Sequence, residues 1–473
     1  MNRRFSKGLG WGIIDNISGT GINFIVGILL ARALSPEDFS VIGVSMLLVT
    51  ISNIISDGGI STALVRKTAP TIADFNTAFT VNLCTSIGVY CCLFVIAPYL
   101  SQGLNTPILS KVIRSLGLII IISALSIVPK SQLTRDINFS TQALASSSSS
   151  ILGAIVALTL IYQGYGIWSF VVQQIVRQTI YTLVLWSVIK HIPRFGFSSH
   201  SARNLFSFGS RLLIAGLIDA FYNNVYFYFL GKTYNSHHLG LYSRSDQFSV
   251  GLVANFALVL QRVSLPALAQ IKHDKIQFSE NFKQLYNKTT IFALLFSGFI
   301  AATSDNFVLL LIGNQWKESI MIIKILAISA LFQPLIVLYQ NVLQVYGKSK
   351  LYLNIEVARK LIAIVFVSIG IATSFTFLLF TFTGIALTSW LLYGHYASKH
   401  LNNNNLLQGA EIIFKHLLPT ALICFLVYKI EFATSSHLVE FILQSLVFMV
   451  LSTCYLLVIF PTSRKIIISR ISF

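Results

Sequence analysis

The stretch SRLLIAGLIDAFYNNVYFYFL, residues 210–230, combines the length of a membrane helix with polar residues that membrane helices rarely contain. A helix of about 20 mostly apolar residues crosses a bilayer core of roughly 30 Å. This one also holds Arg211, Asp219, Asn223 and Asn224. A charge at the centre of a spanning helix costs roughly 2.5–3.5 kcal/mol on insertion scales, and such residues usually face a bundle interior or a water-filled cavity. The stretch therefore predicts a helix that borders a polar space inside a membrane.

The whole chain has the composition of a polytopic membrane protein. Of its 473 residues, 55% are hydrophobic and 11% are charged, and the mean hydropathy is +0.74, whereas soluble proteins carry roughly 25% charged residues. The formal net charge is +18. Its lysines and arginines lie mostly in short segments between apolar runs, which indicates cytoplasmic loops rather than a nucleic-acid-binding domain. We therefore expect an all-α membrane protein with lipids, and no nucleic acid, as partners.

Apolar runs predict about fourteen transmembrane helices. Basic residues cluster in every second connection, beginning with Arg3, Arg4 and Lys7 before the first span. Because cytoplasmic loops are enriched in Lys and Arg, this alternation predicts that both termini are cytosolic. The predicted spans are 11–33, 39–60, 77–100, 109–129, 141–162, 166–189, 206–230, 241–267, 288–312, 319–346, 353–373, 375–397, 412–431 and 437–460.

A faint internal repeat groups these spans. At an offset of 200 residues, Asn23 aligns with Asn223 and Arg32 aligns with Lys232. Many transporters are built from such repeats, so we expect two six-helix bundles around a central cavity. The predicted regions are 1–200 and 201–400, one bundle each, and 401–473, two additional helices.

No feature of the sequence indicates an enzyme. The predicted loops are too short for a soluble catalytic domain, the glycines match no phosphate-binding loop, and the cysteines show no metal-ligand spacing. We therefore expect no cofactor and no metal site, and any transport would be driven by an H⁺ or Na⁺ gradient or by the gradient of the cargo. Five cysteines, all in apolar runs, are expected to be free buried thiols: Cys84, Cys91, Cys92, Cys424 and Cys454.

Five segments, in this order, resemble a known family of exporters. They are LLARALSPEDFSVIGV (29–44), DGGISTALVRK (57–67), FSFGSRLLIAGLIDAFYNNVYFYFLGK (206–232), LGLYSRSDQF (239–248) and LQRVSLPALAQI (260–271). Together they are similar to the polysaccharide-exporter branch, the Wzx-type O-antigen and colanic-acid flippases, of the multidrug/oligosaccharidyl-lipid/polysaccharide flippase superfamily. The sequence departs from the common pattern at NSHHLG (235–240), where proline and acidic residues are more usual.

The resemblance implies a fold, a cargo and a location. The expected fold is a V-shaped pair of six-helix bundles, and the expected cargo is an oligosaccharide on undecaprenyl diphosphate. The chain would flip this lipid from the cytosolic to the periplasmic leaflet of the bacterial inner membrane by alternating access. The polysaccharide polymerase and the chain-length regulator of the same pathway are further expected partners.

The sixth predicted span carries the most deeply embedded charge. Arg177 lies near its centre, with Gln173 one turn before it and Gln174 and Gln178 at helical spacing. Amides suit sugar hydroxyls and an arginine suits a diphosphate, so these residues are candidates to line the cavity. The alternative is an arginine neutralised by packing against a carboxylate elsewhere.

The eighth predicted span holds a second set of candidates. On one straight helix Arg244, Asn255 and Arg262 fall within about 20° of one stripe that runs about 27 Å, nearly the thickness of the hydrocarbon core. We interpret this stripe as a polar cavity wall. The alternative is that both arginines extend to the two membrane interfaces, which would not explain Asn255 between them.

The seventh and first predicted spans complete the set. Asp219 and Asn223 lie one turn apart, and the first span carries Asp15 and Asn23, of which Asn23 aligns with Asn223. Asp219 would neutralise an arginine of a neighbouring span or carry a coupling ion.

These residues favour a lipid-linked oligosaccharide flippase. The alternative is a cation-coupled small-molecule or drug antiporter of the same superfamily, in which Asp15 and Asp219 would serve coupling. A membrane enzyme such as a polysaccharide polymerase is disfavoured, because no long outer loop with catalytic groups is predicted.

Overall fold

The structure is a computed structural model that describes residues 21–22, 24–67, 70–136, 138–189, 192–401, 406–429 and 437–459. Within these ranges the regular elements are α-helices and one short 3₁₀ helix, Asn314–Trp316, with no strand. Ten helical segments are long and apolar enough to cross a membrane. The predicted all-α class is therefore confirmed.

The chain divides into two compact units, Met1–Gly240 and Leu241–Phe473. In chain order the helices are α1 Phe24–Ala33, α2 Pro36–Asp57, α3 Ile60–Arg66, α4 Ile72–Gly103, α5 Pro107–Arg135, α6 Phe139–Tyr162, α7 Trp168–Val188, α8 Ser199–Thr233, α9 Ser236–Phe248, α10 Val250–Gln270, α11 Lys275–Leu311, α12 Ser319–Ala330, α13 Phe332–Val345, α14 Ser349–Thr373, α15 Phe375–Ser398, α16 Leu406–Lys429 and α17 His437–Ile459.

The first unit is organised around α5, which packs against α2, α4 and α7. Two glycines with positive φ, Gly58 and Gly59, end α2 and begin α3. At Gly59 a Cβ atom would lie 2.5 Å from the carbonyl oxygen of Gly209 in α8. No side chain fits at this contact, so the DGG segment both breaks the helix and lets the two backbones meet.

Helix caps stand 200 residues apart, at Ser35 and Asn235. Ser35 caps α2, and its side chain accepts a hydrogen bond from the backbone N–H of Asp38. Asn235 stands at the corresponding position before α9, where its side chain accepts from the N–H of His238 at 2.9 Å. Side-chain oxygens at these positions satisfy N–H groups that a helix start leaves unpaired.

The second unit has an aromatic core between α11, α13 and α15. The rings of Phe282, Tyr286 and Tyr339 lie within 6 Å of one another, and the indole N–H of Trp390 donates to the Tyr286 hydroxyl at 2.8 Å. The last two helices, α16 and α17, pack on α11.

Polar contacts hold α16 and α17 on α11. His416, 1% exposed, contacts the Tyr455 hydroxyl at 2.7 Å and the Asn287 side-chain oxygen at 2.8 Å. Asn306 donates to the Gln444 side chain at 3.1 Å. Inside a membrane such paired groups join helices, because an unpaired polar group in hydrocarbon is costly.

Several predicted spans differ from the observed helices. Predicted span 241–267 covers parts of α9 and α10, which meet at Ser249, and predicted span 319–346 covers α12 and α13, which meet at Leu331; each pair forms one of the ten apolar segments. Predicted spans six, seven and eleven correspond to α7, α8 and α14, which are not among the ten apolar segments. The count of fourteen, the cytosolic termini, the cavity and the three regions stay predictions.

Candidate functional site

The predicted site in span six lies where α7 packs against α6. Gln173 is 3% exposed and Arg177 is half-buried. Opposite them stands Gly153, at which a Cβ atom would lie 3.3 Å from both the Arg177 Cβ and the Gln173 carbonyl oxygen. Ser149 and Ser150, one turn earlier on α6, are buried as well. Small residues on α6 therefore let the polar face of α7 approach closely.

The hydrogen-bonding capacity of this face is partly unused. Among the residues that the structure describes, the Gln173 Oε1 atom is buried and accepts no hydrogen bond. The neighbouring amides of Gln174 and Gln178 are half-buried. A buried acceptor without a donor costs roughly 1–3 kcal/mol, and its described protein neighbours leave this acceptor of Gln173 unused.

Arg244, the first candidate of span eight, is fixed by its own neighbours in the second unit. Its side chain is 2% exposed, and it donates a hydrogen bond to the Gln247 side chain. The guanidinium carbon lies 4.4 Å from the centre of the Phe248 ring, a cation–π distance. Phe248 in turn meets the edge of Phe307 at 5.3 Å.

The stripe of Arg244, Asn255 and Arg262 stays a prediction. Asn255 is exposed on α10 and donates to the Gly251 carbonyl oxygen at 3.0 Å. Helical hydrogen bonds continue across the junction of α9 and α10: the N–H of Ser249 donates to the Ser245 carbonyl oxygen at 3.0 Å, and the N–H of Val253 donates to the Ser249 carbonyl oxygen at 3.4 Å. Arg262 lies on α10, and its side chain is outside the described part.

Four further candidates have no described side chain. Asp219 and Asn223 fall within α8, while Asp15 and Asn23 lie outside the described residues. Their convergence with Arg177 stays a prediction.

Two ion pairs lie within the second unit. Lys324 on α12 donates to Asp305 on α11 at 2.7 Å. Glu356 pairs with Arg359 at 2.7 Å, three residues on in α14. Glu356 also accepts from Gln340 at 3.3 Å and from the hydroxyl of Tyr393.

Two further polar residues were missed by sequence reasoning. Arg114 lies on α5, three residues after Lys111, and His416 lies on α16, directly after Lys415. The spacing of residues within α5 or α16 does not indicate these contacts, because the partner side chains lie on other helices. In the described ranges no three His, Cys, Asp or Glu side chains are grouped as metal ligands would be.

Comparison with known sequences identifies relatives. The model of a family described as polysaccharide biosynthesis protein matches residues 29–321. The succinoglycan biosynthesis transport protein ExoT of Rhizobium meliloti (strain 1021) is 28% identical over 334 residues, covering 68% of this chain and 66% of ExoT, just under two thirds of that relative. The lipopolysaccharide biosynthesis protein WzxC of Escherichia coli (strain K12) is 21% identical over 340 residues, covering 70% of this chain and 68% of WzxC.

Comparison with solved structures identifies the fold. The lipid II flippase MurJ in an inward closed conformation matches with a TM-score of 0.73 at 15% identity, over 98% of this chain and 99% of MurJ. An inward-facing multidrug resistance MATE family transporter of the MOP superfamily matches with a TM-score of 0.62 at 13% identity, over 81% of this chain and 95% of that one. At these identities the likeness shows the fold alone. The predicted resemblance is confirmed, and the chain is a multi-pass membrane protein.

Proposed function

Because the chain belongs to the polysaccharide biosynthesis protein family, we propose that it is a flippase for lipid-linked oligosaccharides. The proposed cargo is an oligosaccharide repeat unit on undecaprenyl diphosphate, destined for O-antigen, capsule or exopolysaccharide. The chain moves this lipid across the bacterial cytoplasmic membrane by alternating access and catalyses no covalent step. The names of its relatives support a transport role in surface polysaccharide synthesis.

The observation that carries this proposal is the polar face of α7. Gln173 presents a buried acceptor without a hydrogen bond in the described part, one turn from the Arg177 guanidinium, in a helix that is otherwise largely apolar. A sugar hydroxyl would donate to Gln173, and diphosphate oxygens would accept two parallel N–H bonds from Arg177. The Gln173 amide thus suits the sugar part of the cargo, and the Arg177 guanidinium suits the diphosphate part.

The remaining candidates extend this proposal. We expect Arg244, Asn255, Arg262, Asp219, Asn223, Asp15 and Asn23 to line the transport path. Asp15 or Asp219 would carry H⁺ or Na⁺ if transport is ion-coupled, and the polymerase and the chain-length regulator would receive the flipped cargo.

A deletion strain tests the proposed function. Membrane lipids are extracted and searched for undecaprenyl-diphosphate oligosaccharide by mass spectrometry, while surface polysaccharide is assayed in parallel. We expect the lipid-linked unit to accumulate and the surface glycan to disappear, and a plasmid copy of the gene to reverse both. Normal glycan and normal lipid intermediates, with raised sensitivity to cationic compounds, would instead establish the drug antiporter.

A further inference from the structure

An arginine outside the predicted transport path is held in a fixed position between α4 and α5. Arg114 lies on α5, about 10 Å along the helix from its start at Pro107. Its guanidinium carbon lies 4.0 Å from the centre of the Phe94 ring on α4. Its Nε atom donates to the Phe94 carbonyl oxygen at 3.2 Å. The ring and the carbonyl together set both the plane and the direction of the guanidinium.

Two further residues hold Phe94 and Arg114 in this arrangement. The Tyr90 hydroxyl donates to the Arg114 carbonyl oxygen at 3.3 Å, and the Tyr90 ring packs edge-on against Phe94 at 6.1 Å. Tyr90 lies directly against Gly117, where a Cβ atom would be 2.9 Å from two of its ring carbons. The absence of a side chain at Gly117 therefore allows Tyr90 to lie across α5.

The guanidinium keeps its two terminal nitrogens available. In the described ranges, the side chain of Arg114 makes only the two contacts with Phe94, and no carboxylate forms an ion pair with Arg114 or Lys111. Lys111 is exposed and lies three residues before Arg114, so the two cations are neighbours on the helix surface. The terminal Nη groups form the fork that binds phosphate oxygens in pairs.

The surface around these cations is apolar. Phe94 is 42% exposed, Leu118 is 40% exposed and Ile108 is 37% exposed. Both helices are long and apolar enough to span a membrane. Exposed apolar side chains on such helices face lipid, whereas a wall of a water-filled path would carry polar groups. The two cations suit the anionic headgroup of a lipid, and the adjoining apolar surface suits its acyl chains.

We propose that Arg114 and Lys111, with Phe94 as a platform, form a binding site for the phosphodiester headgroup of an anionic glycerophospholipid. Arg114 binds the phosphate through its paired Nη groups, and Lys111 adds charge. The acyl chains lie along the exposed faces of α4 and α5. The site is separate from the proposed cargo residues on α7 and does not depend on the proposed function.

Native mass spectrometry of the purified full chain in a neutral detergent tests this site. Phosphatidylglycerol, phosphatidylcholine and undecaprenyl phosphate are titrated separately, and the lipid-free melting temperature shows whether each variant is folded. We expect wild type to prefer phosphatidylglycerol. Arg114→Gln should weaken that binding roughly tenfold, because it removes charged hydrogen bonds. Arg114→Lys should bind phosphatidylglycerol more weakly than wild type and more tightly than Arg114→Gln, since an ammonium group keeps the charge but lacks the planar fork.

Two more variants keep the test decisive. Gly117→Ala should weaken phosphatidylglycerol binding while leaving both cations in place, so the site can be tested even if Arg114→Gln does not fold. Arg203→Gln, at an exposed cation near the start of α8, is the control and should bind as wild type does. The proposal is wrong if Arg114→Gln binds phosphatidylglycerol normally, if phosphatidylcholine binds equally well, or if only undecaprenyl phosphate is retained.

Discussion

The Cβ atom of Arg177 on α7 lies 3.3 Å from the point where a side chain at Gly153 on α6 would begin. A methyl group at that point would require the neighbouring atoms to give way by a few tenths of an ångström, and a larger group would separate the helices. The position of the proposed cargo-binding arginine is therefore linked to the size of one residue on another helix.

Gly153→Leu should impair transport by displacing Arg177 and Gln173. Overpacking of this kind costs roughly 1–3 kcal/mol, so we expect a lower melting temperature and reduced surface glycan in a complemented deletion strain. The control is Gly88→Leu on α4, where a Cβ atom would meet nothing within 4 Å. Equal glycan and equal stability in the two variants would show that the α6–α7 contact does not position Arg177.

The His416 contacts should stabilise the attachment of α16 and α17. His416→Phe leaves Asn287 and Tyr455 without this partner, and a buried polar group that loses its partner costs roughly 1–3 kcal/mol. We expect a lower melting temperature and earlier proteolysis of the chain after α15 in the purified protein. His395→Phe, at an exposed histidine on α15, is the matched control. No difference between the two variants would contradict a stabilising role.

Glu356 should couple α14 to α15 through Tyr393. The Glu356 and Arg359 side chains are only 15% and 25% exposed, so Glu356→Gln removes a shielded ion pair and should destabilise the fold by roughly 1–3 kcal/mol. Glu411→Gln, at an exposed carboxylate on α16, should have little effect. A double-mutant cycle with Tyr393→Phe measures the coupling by thermal unfolding, and strictly additive effects would rule out the contact.

His400 should contribute to the acid sensitivity of the second unit. Burial, followed by the positive charges of Lys348 and Lys275, lowers the pKa of His400 from its ordinary value. The unfolded chain then binds the proton more tightly than the folded one. This contribution to stability is present above the unfolded pKa of about 6.5 and is lost as the pH falls through the folded pKa.

The melting temperature of His400→Gln should therefore decline less between pH 7 and pH 5 than that of wild type. His273→Gln, at an exposed histidine before α11, should follow wild type. Parallel pH profiles for His400→Gln and wild type would show that the His400 pKa is not lowered on folding.

The sequence predicted the helical class well, because long apolar runs have few alternatives to membrane helices. It also placed Gln173 and Arg177 on one face of α7, since that relation depends only on helical spacing. It did not separate α9 from α10 at Ser249, where the helical hydrogen bonds continue. It could not find the contact of Arg177 with Gly153 or of Arg114 with Phe94, because each joins two helices and requires the tertiary packing.

The most direct test of the central claim is a flipping assay with purified protein in lipid vesicles. Undecaprenyl-diphosphate oligosaccharide is reconstituted in both leaflets, and an impermeant reagent that oxidises sugars measures how fast the inner pool reaches the outside. We expect wild type to expose the whole pool, Arg177→Gln to be much slower, and Arg203→Gln to match wild type. If Arg177→Gln exposes the lipid as fast as wild type does, or if wild type exposes only the outer half, the central claim is wrong.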